Sequence, residues 1–319
     1  MPRFYNYLPG VLSEGQPFAL GIISGVKGSS PQKQGAKALF FADGRILGTL
    51  GGGCLEAEVQ DRARRALGTG KASSFELVLD HDFGWDDGLI CGGKVTGLIL
   101  PRAPEAAELW RRIAGASETV SWGVREDFSI STGDAADGRW LFHEVVRPPS
   151  ALWIAGSGHV AQAVAKFAVQ LDFEVTVFDD RPTFATTQFF PEGTTFRVGY
   201  WEDLLKVPLP PRPTFGLVVT RGHNRDALVL RRWIHEPFAF LGMIGSRRKA
   251  RLIFAQFRDE HLATEEELAR VQCPVGVNIG AVSVPEIGVS VVAEFIRRRA
   301  ELLQTPVGSR PPTTNSCES

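Results

Sequence analysis

Apolar positions along this 319-residue chain follow two different rhythms. Up to about residue 149 they come in clustered, strand-length runs. Residues 17–26 and 36–42 read as strands, and Asp43-Gly44 between the second run and RILGTL is a hairpin signal. A helical period runs from Cys54 to Leu67, directly after Gly51-Gly52-Gly53. Residues 74–79 and 94–100 predict further strands, 103–114 a helix, and 119–124 and 139–145 short strands.

Beyond Arg147-Pro148-Pro149-Ser150 the rhythm changes to alternation. Strands are expected at 151–155, 174–179, 194–198, 215–220 and 239–244. Helical spacing appears at 159–171, 224–233, 246–258 and 264–271, and a last helix starts near Pro285. Alternating strands and helices predict a parallel sheet with helices on both faces. The fold class expected is therefore α/β: a C-terminal Rossmann-like doubly wound sheet over 150–304, preceded by a smaller α+β domain over 1–149. Residues 305–319 are rich in Pro, Ser and Thr and read as a disordered tail.

Composition narrows the function classes. Lys plus Arg is 35 and Asp plus Glu is 36, a formal net charge of −1. That balance argues against gripping nucleic acid by bulk charge. No apolar run is long enough to span a membrane, and MPRFYNYLPG lacks the regions of a signal peptide. Four cysteines, none in a CxxC pair, suit a reduced cytoplasmic setting rather than a disulfide scaffold or a closed zinc site. Cys273 reads as structural, and Cys317 falls in the tail.

Two glycine-rich turns carry candidate chemistry. Gly156-Ser157-Gly158-His159-Val160-Ala161 follows a strand and opens a helix, as a dinucleotide fingerprint does. Asp179 and Asp180 end the next strand, where the fingerprint wants an acid. Arg221 and His223 follow the strand FGLVVT, and Ser246, Arg247 and Arg248 follow AFLGMI. Ser246 reads as a helix N-cap. Cations in that first turn oppose the helix dipole, a cost that a bound anion would offset. In the first half, Gly51, Gly52 and Gly53 free the backbone to form a ring of N–H donors for an anion. Cys54 then falls at a helix start, which favours thiolate. Cys91-Gly92-Gly93 is a second glycine-flanked thiol, with His81 in the polar loop between. Cys54 and Cys91 are the candidate metal or sulfur contacts, and spacing leaves open whether they meet. Gly28 to Gly35 reads as a polar loop.

Six separated blocks, in one order, resemble the XdhC/CoxI family of accessory proteins for xanthine dehydrogenase and related molybdenum hydroxylases. They are GSSPQKQGAKALFFADGRILGTLGGGCLEAEV with CGGKV, IAGSGHVAQAVAKFAVQLDFEVTVFDDR, VVTRGHNRDALVL, LGMIGSRRKA and PVGVNIGAVSVPEIGVSVVAEFIRRRA. The resemblance implies a chaperone of the molybdenum cofactor (molybdopterin). Such a protein binds the cofactor, protects it while its terminal sulfur ligand is installed, and delivers it to the apo-hydroxylase. It implies no catalytic residue of its own, a cysteine desulfurase as a second partner, and a homodimer. Asn278 departs from the acidic residue of many relatives. The alternative reading from the GSGHVA turn and Asp179 is an NAD(P)-dependent oxidoreductase.

Overall fold

The computed structural model describes residues 4–30, 32–79 and 93–304. These fall into two compact units, divided between Pro148 and Pro149.

In the first unit a five-stranded antiparallel sheet has the order β3-β2-β1-β5-β4. Its strands are β1 (Phe18–Lys27), β2 (Lys37–Phe41), β3 (Ile46–Gly48), β4 (Ser73–Leu79) and β5 (Gly93–Leu100). Strand periodicity sorts β1 onto two cores. Phe18, Leu20 and Ile22 face one side, and Ala19 and Ile23 the other. Helix α2 (Gly53–Thr69) covers the second face with Leu55, Val59, Ala63 and Ala66. Helix α1 (Phe4–Glu14) and helix α3 (Ala107–Ala114) cover the first face. A three-stranded sheet of β6 (Val120–Arg125), β7 (Ile130–Thr132) and β8 (Trp140–Val146) joins them, in the order β7-β6-β8. Lys37 is buried among Tyr5, Trp122 and Phe142, and its ammonium pairs with Glu144 at 2.7 Å. Burial pulls the pKa of Lys37 below the usual lysine value, and Glu144 only partly restores it.

The second unit carries six parallel strands in the order β11-β10-β9-β12-β13-β14. They are β9 (Ala151–Ala155), β10 (Glu174–Asp179), β11 (Thr195–Val198), β12 (Thr214–Val218), β13 (Phe240–Met243) and β14 (Val271–Gln272). Read from the first strand of the unit, this is the 3-2-1-4-5-6 order of a doubly wound sheet. The expected Rossmann-like fold is thus observed. β9 is buried at every position, as a central parallel strand must be. One face packs on α4 (His159–Gln170) and α9 (Val284–Gln304). The other packs on a short α5 (Trp201–Leu204), on α6 (His223–Trp233) and on α7 (Arg247–Asp259). The helix expected at 264–271 ends early. Thr264 and Glu267 form a capping box for α8 (Glu265–Ala269), after which Val271 and Gln272 join the sheet. No helix among the described residues is long and apolar enough to cross a membrane.

Candidate functional site

In a doubly wound sheet, ligands bind outside the carboxyl ends of the strands, where the strand order reverses. Here that point lies between β9 and β12. Gly156 follows β9 at φ +114, and a Cβ there would sit 2.4 Å from the Val219 carbonyl oxygen. The two strand ends approach so closely that only glycine fits. Gly158 differs. Its φ is −71, which any residue adopts, and a Cβ there would meet nothing within 4 Å. It is the exposed N-cap of α4, its carbonyl accepts the Gln162 N–H at 3.0 Å, and as glycine it supplies no side-chain cap. His159 beside it is exposed.

The acidic end of β10 is arranged otherwise than expected. Asp179 is buried, and its carboxylate is filled by its own chain. Oδ2 accepts the Ser157 N–H at 2.7 Å, the Ser157 hydroxyl at 2.7 Å and Arg181 Nη2 at 2.9 Å. Oδ1 accepts the Arg181 N–H and Nε, each at 2.9 Å. Burial pushes this acid up, but the bonds from Arg181 and Ser157 outweigh it and bring its pKa down to about 2. Asp180 pairs with Arg225 at 2.9 Å and lies 3.8 Å from Arg181. Both acids are therefore matched by guanidinium groups.

A second acid organises the next loops. Asp226, fully buried in α6, accepts the Thr220 N–H at 3.0 Å and the Thr220 hydroxyl at 2.6 Å, and pairs with Lys249. Lys249 also donates to the Ile244 carbonyl at 3.1 Å, so one buried pair ties the ends of β12 and β13 together. Ser246 is the N-cap of α7, accepting the Lys249 N–H at 3.2 Å. One of the three cations of that turn is thereby neutralised internally. Arg221, His223, Arg247 and Arg248 are exposed, and with His159 they have no side-chain partner among the described residues. Burial pushes the Cys273 thiol up to about 11, with Lys249 opposing and Asp226 adding to the effect. It stays a thiol. Asn278 Oδ1 accepts the Gly280 N–H at 3.4 Å within its own turn.

In the first unit Gly51, Gly52 and Gly53 all take positive φ, at 121, 76 and 59. Two of their N–H groups have partners within the turn, Gly51 on the Thr49 hydroxyl at 3.0 Å and Gly52 on Glu56. Glu56 Oε1 accepts the Leu50 N–H at 2.7 Å, the Gly52 N–H at 3.0 Å and the Thr49 hydroxyl at 2.5 Å. Its pKa is raised by burial but more strongly lowered by these bonds. Cys54 is the second residue of α2 and half-buried. Gly93 has a local reason to be glycine, since a Cβ there would lie 1.9 Å from the Ser29 carbonyl oxygen. Cys91, Gly92 and His81 lie outside the described residues. Among those described, no three His, Cys, Asp or Glu side chains are grouped to hold a metal ion.

Glu56, Ser157, Arg181, Arg225, Asp226 and Lys249 thus shape these turns without having been singled out. A signal existed for two of them. Glu56 and Asp226 each stand four residues past a glycine N-cap, in the first helical turn, where a carboxylate reaches back to free N–H groups.

Comparison with known proteins places this arrangement. The model of the XdhC Rossmann domain matches residues 152–295, and that of the XdhC and CoxI family matches residues 11–80. The chain belongs to the XdhC and CoxI family. Its similarity to "Uncharacterized protein YqeB" of Escherichia coli (strain K12) is 30% identity over 282 residues. That covers 88% of this chain, which spans only 43% of YqeB. A protein of Bacillus subtilis (strain 168), named as a probable xanthine dehydrogenase subunit, is 26% identical, with 94% of this chain and 98% of that one covered. The "Molybdenum cofactor insertion chaperone PaoD" of E. coli (strain K12) is 24% identical, with 89% and 84% covered. A crystal structure described as a xanthine dehydrogenase from Bacillus halodurans aligns with a TM-score of 0.83 over 96% of this chain and 98% of that one. At 23% identity the likeness is one of fold. For this family member, the glycine turn, the exposed cations and the buried acids all lie on strand and helix ends that its fold sets.

Proposed function

We propose that the chain is a molybdenum-cofactor chaperone without catalytic activity of its own. It holds the molybdopterin cofactor as cargo while sulfur supplied by a cysteine desulfurase is installed on the metal. It then hands the cofactor to the apoenzyme of xanthine dehydrogenase or a related molybdenum hydroxylase. Similarity to PaoD along 89% of the chain supports this reading.

The observation that carries it is the Gly158 turn. The space at its Cβ position is empty, and α4 begins there without a side-chain cap. The first-turn N–H groups of such a helix suit a phosphate, which this cofactor bears. His159, Arg221, His223, Arg247 and Arg248 stand at the same carboxyl edge of the sheet, where the arginines add positive charge and the imidazoles polar contacts. Cys54, in the first unit, offers a soft sulfur ligand, with Cys91 its sequence counterpart.

The test is direct. Protein isolated anaerobically from cofactor-competent cells is denatured, and released pterin is measured by fluorescence after oxidation. Pterin in a fixed ratio to protein is expected. Its absence at any ratio overturns the proposal. Sedimentation at several protein concentrations tests the homodimer.

A further inference from the structure

A Rossmann-like unit raises the matter of adenosine dinucleotides, and the residues at the end of β10 do not fit one. In nucleotide-binding members of this fold the acid at that strand end accepts both hydroxyls of a ribose. A carboxylate has about four acceptor positions. Asp179 already accepts five donations, three from Arg181 and two from Ser157.

We infer that Arg181 is a specificity-determining residue that closes the ribose end of this unit to NAD and other adenosine dinucleotides with a free ribose diol. Its guanidinium grips both oxygens of Asp179 and lies over the Phe184 ring at 4.7 Å. A ribose diol offers two neutral donors. To reach Asp179 it must displace a bidentate ion pair, whose charged donors neutral hydroxyls do not replace. Asp180 offers no substitute, because Arg225 holds it. The displaced guanidinium would leave a buried carboxylate without its counter-charge, a further cost. The phosphate end of the same turn, at Gly158, carries no such obstruction. The unit thus keeps the anion-facing half of a dinucleotide turn and lacks the ribose-reading half. This inference is independent of the cargo proposed above.

The experiment titrates NADH and ADP-ribose into the full chain by calorimetry, beside Arg181→Ala and Arg181→Lys variants whose folding is checked by thermal melting. Wild type is expected to bind neither of them more tightly than ~1 mM. Arg181→Ala is expected to gain at least about tenfold in affinity for ADP-ribose, the effect of a recovered hydrogen bond to a charged group. Arg181→Lys keeps the charge without the fork and should fall between. Micromolar NADH binding by wild type, weakened by Asp179→Ala, overturns the inference. So does a folded Arg181→Ala that gains nothing. Blindness to NADH in a protein that carries no pterin would remove the cargo reading and leave this one standing.

Discussion

Oδ2 of Asp179 accepts both the backbone N–H and the hydroxyl of Ser157, each at 2.7 Å. Twenty-two residues apart in sequence, the two join the end of β10 to the turn after β9. The turn is therefore shaped by an internal anion before any ligand arrives.

That bond has a pH signature. Asp179 is held at about 2 in the folded chain, against an ordinary value of 3.8. A depressed folded-state pKa gives stability that is complete above the unfolded value and lost as pH falls through the folded one. Wild type should lose about 2 kcal/mol through this group between about pH 4 and pH 2. Urea unfolding at pH 5 and again near pH 2 checks it. Asp179→Asn should be less stable at pH 5, and the gap should close on acidification. A constant gap would show that ionisation of Asp179 is not its source.

Glu56 plays the matching part in the first unit. Glu56→Ala strips acceptors from the N–H groups of Leu50 and Gly52 and from the Thr49 hydroxyl. The turn is half-exposed, so water recovers part of the loss, and a cost of about 1–2 kcal/mol is expected. Glu56→Gln keeps an acceptor and should cost less. Thermal melting ranks the three proteins.

The buried pair of Asp226 and Lys249 should cost more to break than to remove. Asp226→Ala leaves an ammonium without its partner and the Thr220 N–H unsatisfied, for about 3–5 kcal/mol. Combining Asp226→Leu with Lys249→Met removes both charges. A double-mutant cycle should then return a total well below the sum of the single changes. Additivity within about 0.5 kcal/mol would mean that the pair is not coupled.

The same residues explain what was legible in the chain. Alternation after Pro149 gave the parallel sheet because βαβ units carry their period in consecutive residues. β14 escaped notice, since two residues hold no period. So did α1, whose Pro9 and Gly10 speak against a helix although Leu8 and Val11 bury its inner face. The glycine turns were found by composition, but their occupants were not. The partner of Ser157 comes from another strand, and only the fold brings it near. Glu56 and Asp226 were readable as first-turn acids. Which N–H groups they take depends on turn geometry that the sequence does not display.

The two glycines of the second turn should separate folding from binding. Gly156→Ala forces a Cβ into the Val219 carbonyl at φ +114 and should destabilise the unit or prevent its folding. Gly158→Ala meets nothing within 4 Å at an ordinary φ of −71. Its melting temperature should stay close to that of wild type, since the gain of about 0.4–1 kcal/mol from restricting the unfolded chain is offset by alanine's being a poorer helix N-cap than glycine. Its methyl group, however, stands where a phosphate would approach the backbone. Pterin retained through purification should therefore fall several-fold in Gly158→Ala at unchanged stability. Unchanged retention in a well-folded Gly158→Ala would remove this turn from the cargo site, and Arg247→Glu would then locate the anion contact by its salt-dependent loss of retention.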